Sequence, residues 1–305
     1  MYDALIIGGG PASVAAGVYA GRKKIKTALV ADKFGGQSIV AAEIENWIGT
    51  KKISGVELAS QLEDHLRSFE DVEIIDDLVE KVEKDGDGFK STLKSGKIIE
   101  SKTVLVTAGS HRRKLGVPGD SEFEGRGVAY CSTCDAPIFK NKITAVVGSG
   151  NAGLEAVRDL LTYASKVYLL NRGDKIAGDE STFEEINKDD RVELMNNTEV
   201  KEIFGEGMVK GVKLLNNKTN EESELKLDGL FVEIGSVPNS HIVKGLVNIN
   251  ERGEIITNSD DQSTSCEGIW AAGDVDNGRF KQNNVAVGDA IKALLSLYSY
   301  LNKQK

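Results

Sequence analysis

The densest group of reactive side chains in the sequence is Cys131-Ser132-Thr133-Cys134-Asp135. Two thiols separated by two residues close into a disulfide and open again, so the pair can carry two electrons, and a CxxC setting lowers the thiolate pKa. Two other readings stay open on the residues alone. Zinc needs four ligands, and what remains is Cys266 with the scattered His65, His111 and His241 and no second knuckle, so no metal is expected. A thiol also packs as a small hydrophobe, which leaves a buried structural pair as the remaining alternative. The redox dithiol is the favoured reading. Asp135 then serves as general acid and base for a leaving thiolate, or else it caps the next turn.

Such a pair needs an electron source, and two repeated segments suggest one. Ala4-Leu5-Ile6-Ile7 runs into Gly8-Gly9-Gly10-Pro11-Ala12-Ser13, then a helix of small residues, then a strand Thr27–Val30. Thr144–Val147 runs into Gly148-Ser149-Gly150-Asn151-Ala152-Gly153, then a helix, then a strand Val167–Leu170. In such a turn one glycine makes the bend, one admits a pyrophosphate close to the backbone, and one lets helix and strand pack closely. The phosphates sit at the helix N-terminus, on free N–H groups and the positive end of the dipole. Ser13 stands where the first turn should have its third glycine; it is small, so a modest effect is expected. Two nucleotide sites in one chain suggest one flavin dinucleotide and one nicotinamide dinucleotide. A third segment, Thr264 to Asp274, reads as an apolar strand ending in Gly273-Asp274 that delivers a carboxylate to a ligand. After it Asn283-Asn284 can cap a helix from Val285 to about Leu301.

Composition agrees with a folded globular protein. The 305 residues predict about two domains. With 40% hydrophobic and 28% charged residues, the chain is ordinary for a globular protein and not a disordered one. The 38 Lys and Arg against 47 Asp and Glu give a net charge of −9, which argues against binding nucleic acid. The 33 Gly against 4 Pro suit many tight strand-to-helix turns. No apolar run reaches the roughly 18–20 residues of a membrane helix. The N-terminus has no basic n-region or cleavage site, and three cysteines make no disulfide framework, so a cytoplasmic protein is expected.

Together these residues resemble the low-molecular-weight thioredoxin reductase family, which includes the flavoprotein core of alkyl hydroperoxide reductase. The resemblance covers essentially the whole chain and is carried by Gly8–Ala12, Gly35-Gly36-Gln37, Glu45-Asn46-Trp47, Cys131–Asp135, Gly148–Gly153, Gly273-Asp274 and Lys281-Gln282. The most specific sign is the CxxC-Asp just before the second fingerprint. Phe34–Gln37, Ala136–Lys140 and Phe280–Gln282 look nearer the peroxide-reductase branch, whose extra N-terminal thioredoxin-like module is not encoded in these residues.

The resemblance implies an α/β fold of two Rossmann-like three-layer dinucleotide-binding domains, the second inserted in the first. The FAD domain would be 1–112 plus 239–305, and the nicotinamide domain, 113–238, would carry the dithiol. It implies FAD contacts from Gly8, Gly10, Pro11, Ala12, Asp32, Gly36, Gln37, Asn46, Gly273, Asp274, Lys281 and Gln282. Among these, Asp274 would meet the ribityl–pyrophosphate region, and Gln37, Asn46 and Gln282 would line the flavin. Nicotinamide contacts would come from Gly148, Gly150, Asn151, Gly153 and Arg172. Cys134 would be the flavin-side thiol, and Cys131 would attack the protein substrate. The inserted domain would rotate about hinges near Arg112–Lys114 and Gly235–Asn239, in a homodimer.

The donor is read from the end of the second strand of the second repeat. NADPH-using members grip the 2′-phosphate with a His-Arg-Arg cluster and a further Arg; Asn171-Arg172-Gly173-Asp174-Lys175 keeps only Arg172, with Lys175 to help. NADH binders place an acidic residue on the ribose, whereas Asn171 is neutral. The reading leans to NADH, with NADPH behind it. A ferredoxin-dependent member would tolerate decay here, but Gly148, Gly150 and Gly153 are intact. The expected partner is a thioredoxin, a glutaredoxin-like protein or a peroxiredoxin system. The alternatives are an FAD-dependent thiol oxidase, which runs the same dithiol backwards to O₂, and a flavin-binding redox sensor.

Overall fold

The computed structural model describes residues 1–41 and 43–303. In chain order the elements are β1 (Tyr2–Ile7), α1 (Pro11–Arg22), β2 (Thr27–Val30), α2 (Gly55–Arg67), β3 (Val72–Ile75), β4 (Val79–Asp85), β5 (Gly88–Leu93), β6 (Ile98–Val106) and β7 (Ser110–Arg112). There follow β8 (Val128–Ala129), α3 (Ser132–Asp135), β9 (Ile143–Val147), α4 (Asn151–Leu161), β10 (Lys166–Leu170), α5 (Glu180–Ile186) and β11 (Val192–Met195). The last are β12 (Thr198–Glu206), β13 (Met208–Asn216), β14 (Glu222–Lys226), β15 (Gly229–Val232), β16 (Ser236–Pro238), β17 (Ile269–Ala271) and α6 (Asn283–Lys303). Two compact units result. Met1–Ile39, Trp47–His111 and the chain from Val237 onward form the first, and Val40–Asn46 with Arg112–Ser236 form the second.

The first unit is built on a sheet of order β3-β2-β1-β6-β5-β4, with β17 added against β6. Strands β3, β2, β1, β6 and β17 are parallel, whereas β5 pairs antiparallel with the first half of the long β6 and β4 antiparallel with β5. Successive side chains of a strand point to opposite faces, and β1 uses both. Ala4 and Ile6 join α1 and α6 in one apolar cluster, while Leu5 and Ile7 join β4, β5 and Val243 in the other. A strand buried on both faces reads as a continuous apolar run, which is what Ala4–Ile7 is. Small residues on α1 permit its close packing; a Cβ on Gly17 would lie 2.5 Å from Leu66 Cδ1 of α2. Helix α2 starts on a capping Ser54, whose hydroxyl accepts the Glu57 N–H.

The second unit has a parallel sheet of order β11-β10-β9-β15-β8 and an antiparallel sheet β12-β13-β14. Val146, Val167, Leu169 and Phe231 face α4, whereas Ala145, Leu170, Leu230 and Val232 face the strands of the antiparallel sheet. Both units are thus three-layered α/β assemblies, the second inserted between β7 and β16 of the chain. Among the described residues no helix is long and apolar enough to cross a membrane.

One helix start differs from the sequence expectation. Asn283 and Asn284 do not precede α6 but form its first turn, and the Gln282 carbonyl already accepts the Ala286 N–H at 2.9 Å. Asn283 is held instead by the Ser38 hydroxyl, which donates to its Oδ1 at 3.0 Å.

Candidate functional site

In the second unit Cys131 and Cys134 are joined as a disulfide with Cα atoms 5.3 Å apart. Cys131 is the residue before α3, a single turn, and its carbonyl accepts the Asp135 N–H at 3.0 Å. The turn is held from three sides. On α4, Asp159 Oδ2 accepts the Ser132 hydroxyl at 2.8 Å, with Thr133 Oγ1 at 3.4 Å. Just past β15, the Glu233 carboxylate accepts the Ser132 backbone N–H. Before the pair, Tyr130 donates its hydroxyl to Asp120 Oδ1 at 2.6 Å, and Asp120 is buried and also accepts the Gly116 N–H.

Three carboxyl groups therefore surround a two-sulfur pair. Burial pushes Asp135 up to about 6. Burial likewise pushes Glu233 up to about 7, with Arg112 opposing the shift and Asp159 and Asp135 adding to it. Removal of a carboxylate from water without a full set of partners disfavours its charged form. Both groups can therefore hold or release a proton near neutrality, as a thiol–disulfide step needs. Sequence reasoning singled out Asp135 but missed Asp159 and Glu233. A signal for Glu233 was present: a charged residue directly follows the buried apolar strand Gly229–Val232, at the carboxyl end where parallel sheets place ligand contacts.

Alongside the pair in the same unit, Gly148 and Gly153 are glycine for packing. A Cβ on Gly153 would lie 1.8 Å from the Gly148 carbonyl oxygen, and one on Gly148, at φ +113, would lie 2.4 Å from the Glu233 carbonyl oxygen. Gly150 is different. It has an ordinary φ of −76, offers α4 no side-chain cap, and a Cβ there would meet nothing within 4 Å. Neither backbone conformation nor packing asks for glycine at Gly150. Space at an uncapped helix N-terminus fits a phosphate group. Asn151 beside it accepts the Asp179 N–H on its Oδ1 at 2.8 Å.

At the end of β10 the buried Asn171 is occupied as an anchor. Its Oδ1 accepts the Ser149 hydroxyl at 2.8 Å, and its amide donates to Gly173 O at 2.9 Å and Asn196 Oδ1 at 2.6 Å. The side chain pins the following loop and is not directed at a ribose. Arg172 is exposed but ion-paired, with Nε 2.6 Å from Glu199 Oε1 of β12.

The first unit repeats the turn. Gly8, at φ +127, would drive a Cβ to 2.4 Å from Thr107 O, and Gly9 to 1.9 Å from Lys33 O. Gly10, at φ −79, leaves α1 without a side-chain cap, and the nearest atom to a Cβ there is Gly36 Cα at 3.9 Å. Again neither backbone conformation nor packing asks for glycine at this position. Pro11 opens α1, where its missing N–H costs nothing. Around this turn the fold assembles the distant candidates. A Cβ on Gly36 would approach Gly10 Cα at 3.2 Å, and one on Gly273 would approach Ala12 Cβ at 3.3 Å. Gln37 Nε2 donates to Asp274 Oδ2 at 3.0 Å and to Ser110 Oγ at 3.1 Å. Asp32 is exposed just beyond β2. Lys281 donates to the Asp276 carbonyl and pairs with Glu254 at 3.2 Å, so it ties two loops of this unit together. Gln282 immediately precedes α6. Asn46 belongs to the segment Val40–Asn46 that groups with the second unit.

Comparison with known proteins matches residues 2–290 to the family described as pyridine nucleotide-disulphide oxidoreductase. An alkyl hydroperoxide reductase protein of Staphylococcus aureus is 38% identical over 300 residues, covering 98% of this chain and 59% of that protein. A Bacillus subtilis protein named NADH dehydrogenase is 37% identical over 301 residues, covering 98% of this chain and 58% of that one. The crystal structure of thioredoxin reductase from Streptococcus pyogenes superposes with a TM-score of 0.92 at 36% identity, covering 99% of both chains. The chain thus spans a little under 60% of the length of the curated relatives it matches.

Proposed function

We propose that this chain, which belongs to the pyridine nucleotide-disulphide oxidoreductase family, is an FAD-dependent disulfide reductase for a thioredoxin-like protein. Its electrons would come from a nicotinamide dinucleotide and leave through Cys131 and Cys134. The observation that carries this reading is the CxxC disulfide flanked by proton-holding carboxyl groups, in the same unit as an uncapped glycine turn. The first unit fits FAD: Gly10 leaves room at the α1 N-terminus, and Gln37 and Asp274 meet beside it. When bound, FAD supplies the conversion of a hydride into an electron pair that can open a disulfide.

The chain's own chemistry follows from the thiols. With the pair reduced, the Cys131 thiolate attacks one sulfur of the partner's disulfide, forms a mixed disulfide and expels the other sulfur as a thiolate. Cys134 then attacks the Cys131 sulfur, restores the Cys131–Cys134 bond and releases the partner's second thiolate. The electron pairs come from the two cysteine sulfurs, so the partner gains two electrons and the pair loses two. Asp135 gives a proton to a departing thiolate and later takes one from the incoming thiol.

NADH is the donor this reading favours. Arg172 is neutralised by Glu199, which leaves little positive charge for a 2′-phosphate, and the B. subtilis relative is named for NADH. The alkyl hydroperoxide reductase relatives and the thioredoxin reductase structure point to a thioredoxin, a glutaredoxin-like protein or a peroxiredoxin system as partner. The assembly proposed is a cytoplasmic homodimer, on the family resemblance.

Anaerobic titration of the FAD-loaded protein with NADH, NADPH and reduced ferredoxin, read by bleaching of the flavin band, tests the proposal. Bleaching by NADH ahead of NADPH is the expected result. Bleaching by ferredoxin alone would overturn the donor assignment. Reduced thioredoxin that bleaches the flavin in air with release of peroxide would instead make the protein a thiol oxidase.

A further inference from the structure

We propose that Glu233 is a positioning residue for the dithiol, holding the Cys131–Cys134 turn through the Ser132 N–H and setting by its charge how readily the reduced pair gives up a proton. This rests on the reading of Cys131 and Cys134 as the redox pair.

Glu233 is fixed by its backbone as well as its carboxylate. Strand β15 lies between β9 and β8, with Leu230 and Phe231 level with Val128 and Ala129 two residues before the CxxC turn, and the Glu233 N–H donates to Val147 O at 2.9 Å. The Glu233 carbonyl sits against the Gly148 turn closely enough that no Cβ fits between them. The side chain thus leaves the sheet at one defined place, at the start of the CxxC turn. The charged groups that act on it come from three elements, Arg112 of β7, Asp135 of α3 and Asp159 of α4, with the Ser132 N–H as donor. One cation stands against three carboxyl groups.

A negative charge here opposes a second negative charge on sulfur. Reduction of the disulfide takes two electrons and, when both thiols are protonated, two protons. If one sulfur stays a thiolate, only one proton goes to sulfur, and the neighbouring carboxyl is the place for the other. Glu233 already titrates near 7 beside the oxidised pair, and a thiolate nearby drives it further towards the protonated form. The carboxyl and the thiol then titrate as a coupled pair in two macroscopic steps.

Two readouts on the FAD-loaded protein test this. One is the pH dependence of Cys131 alkylation by iodoacetamide after reduction. The other is the pH dependence of the Cys131–Cys134 equilibrium with dithiothreitol, quantified by mass spectrometry. Glu233→Gln keeps an oxygen for the Ser132 N–H and loses the charge. The expected result is collapse of a broad two-step alkylation curve to a single-proton curve at lower pH. Alkylation should be about three- to tenfold faster near neutrality, with a flatter pH dependence of the dithiothreitol equilibrium. Arg112→Gln removes the opposing cation and should slow alkylation at the same pH, so it tests the same field if the glutamine variant fails to fold. Curves superimposable on wild type in a folded variant would overturn the proposal. A wild-type pair that does not exchange with dithiothreitol at all would instead overturn the redox reading beneath it.

Discussion

At the third position of the fingerprint the first unit has Ser13 and the second Gly153. Gly153 leaves no room: its missing Cβ would overlap the Gly148 carbonyl at 1.8 Å. Ser13 is fully buried, accepts a hydrogen bond from Thr107 Oγ1 at 3.1 Å, and lies 3.5 Å from Thr107 O. Helix α1 therefore stands far enough from its glycine turn to hold a side chain, and that side chain links the helix to the end of β6. The serine replaces close contact by a hydrogen bond. The middle glycines teach the opposite lesson. Gly10 and Gly150 have ordinary backbone angles, and a Cβ would meet only Gly36 Cα at 3.9 Å at the first and nothing within 4 Å at the second. The turns differ where protein packs on protein and agree in the space they leave beside an uncapped helix N-terminus.

The sharpest way to break this comparison is at its tightest point. Gly153→Ala should destabilise the protein by about 3 kcal/mol or more in denaturant unfolding, because backbone must move. Ser13→Gly should cost about 1 kcal/mol, from a lost hydrogen bond and added chain entropy. Equal costs would mean that the two turns are not different in kind. Gly150→Ala should unfold within about 0.5 kcal/mol of wild type yet bind nicotinamide dinucleotide at least about tenfold more weakly. Isothermal titration beside a melting curve measures both, and unchanged affinity would refute the ligand account of that glycine.

A smaller contrast lies in the buried acids of the two units. Burial raises both Asp276 of the first and Asp135 of the second to about 6. A carboxyl whose folded pKa lies above its unfolded value binds more protons when folded. Each therefore lowers stability as pH rises from about 4 to about 6, and the loss then levels off. Asp135→Asn should thus stabilise at pH 7 by about 1–2 kcal/mol, allowing for screening of a partly buried group. The gain should vanish near pH 4, while disulfide turnover falls. Asp276 accepts the Gly278 N–H at 2.7 Å, so Asp276→Asn should gain less. Melting temperatures across pH discriminate the two. The smallest effect expected is at the donor loop, where Glu199→Gln releases Arg172 and should lower KM for NADPH by about two- to fivefold. An unchanged KM would show that the ion pair has no part in donor choice.

Much of this is legible in the residues. Both strand–glycine–helix segments stand where the apolar runs and glycines put them, since spacing along the chain encodes local geometry directly. That Asn171 anchors its loop could not be read from the sequence, because nothing in the chain near it reveals that Ser149 and Asn196 hold its side chain. The start of α6 departs from expectation for a similar reason: asparagines favour caps, but here Ser38 holds Asn283 inside the first turn.

By itself the sequence determined the two dinucleotide turns, the CxxC pair and the acid that follows it, all of them patterns spanning a few residues. Only the tertiary structure decided which distant groups meet them. Sheet order sets β15 beside β8 and so brings Glu233 to the Ser132 N–H, and the packing of α4 brings in Asp159. Addition of β17 to β6 brings Asp274 to Gln37, 237 residues away in the chain. Such meetings follow from strand pairing and core packing, which depend on many apolar residues at once and leave no mark at the positions that finally touch.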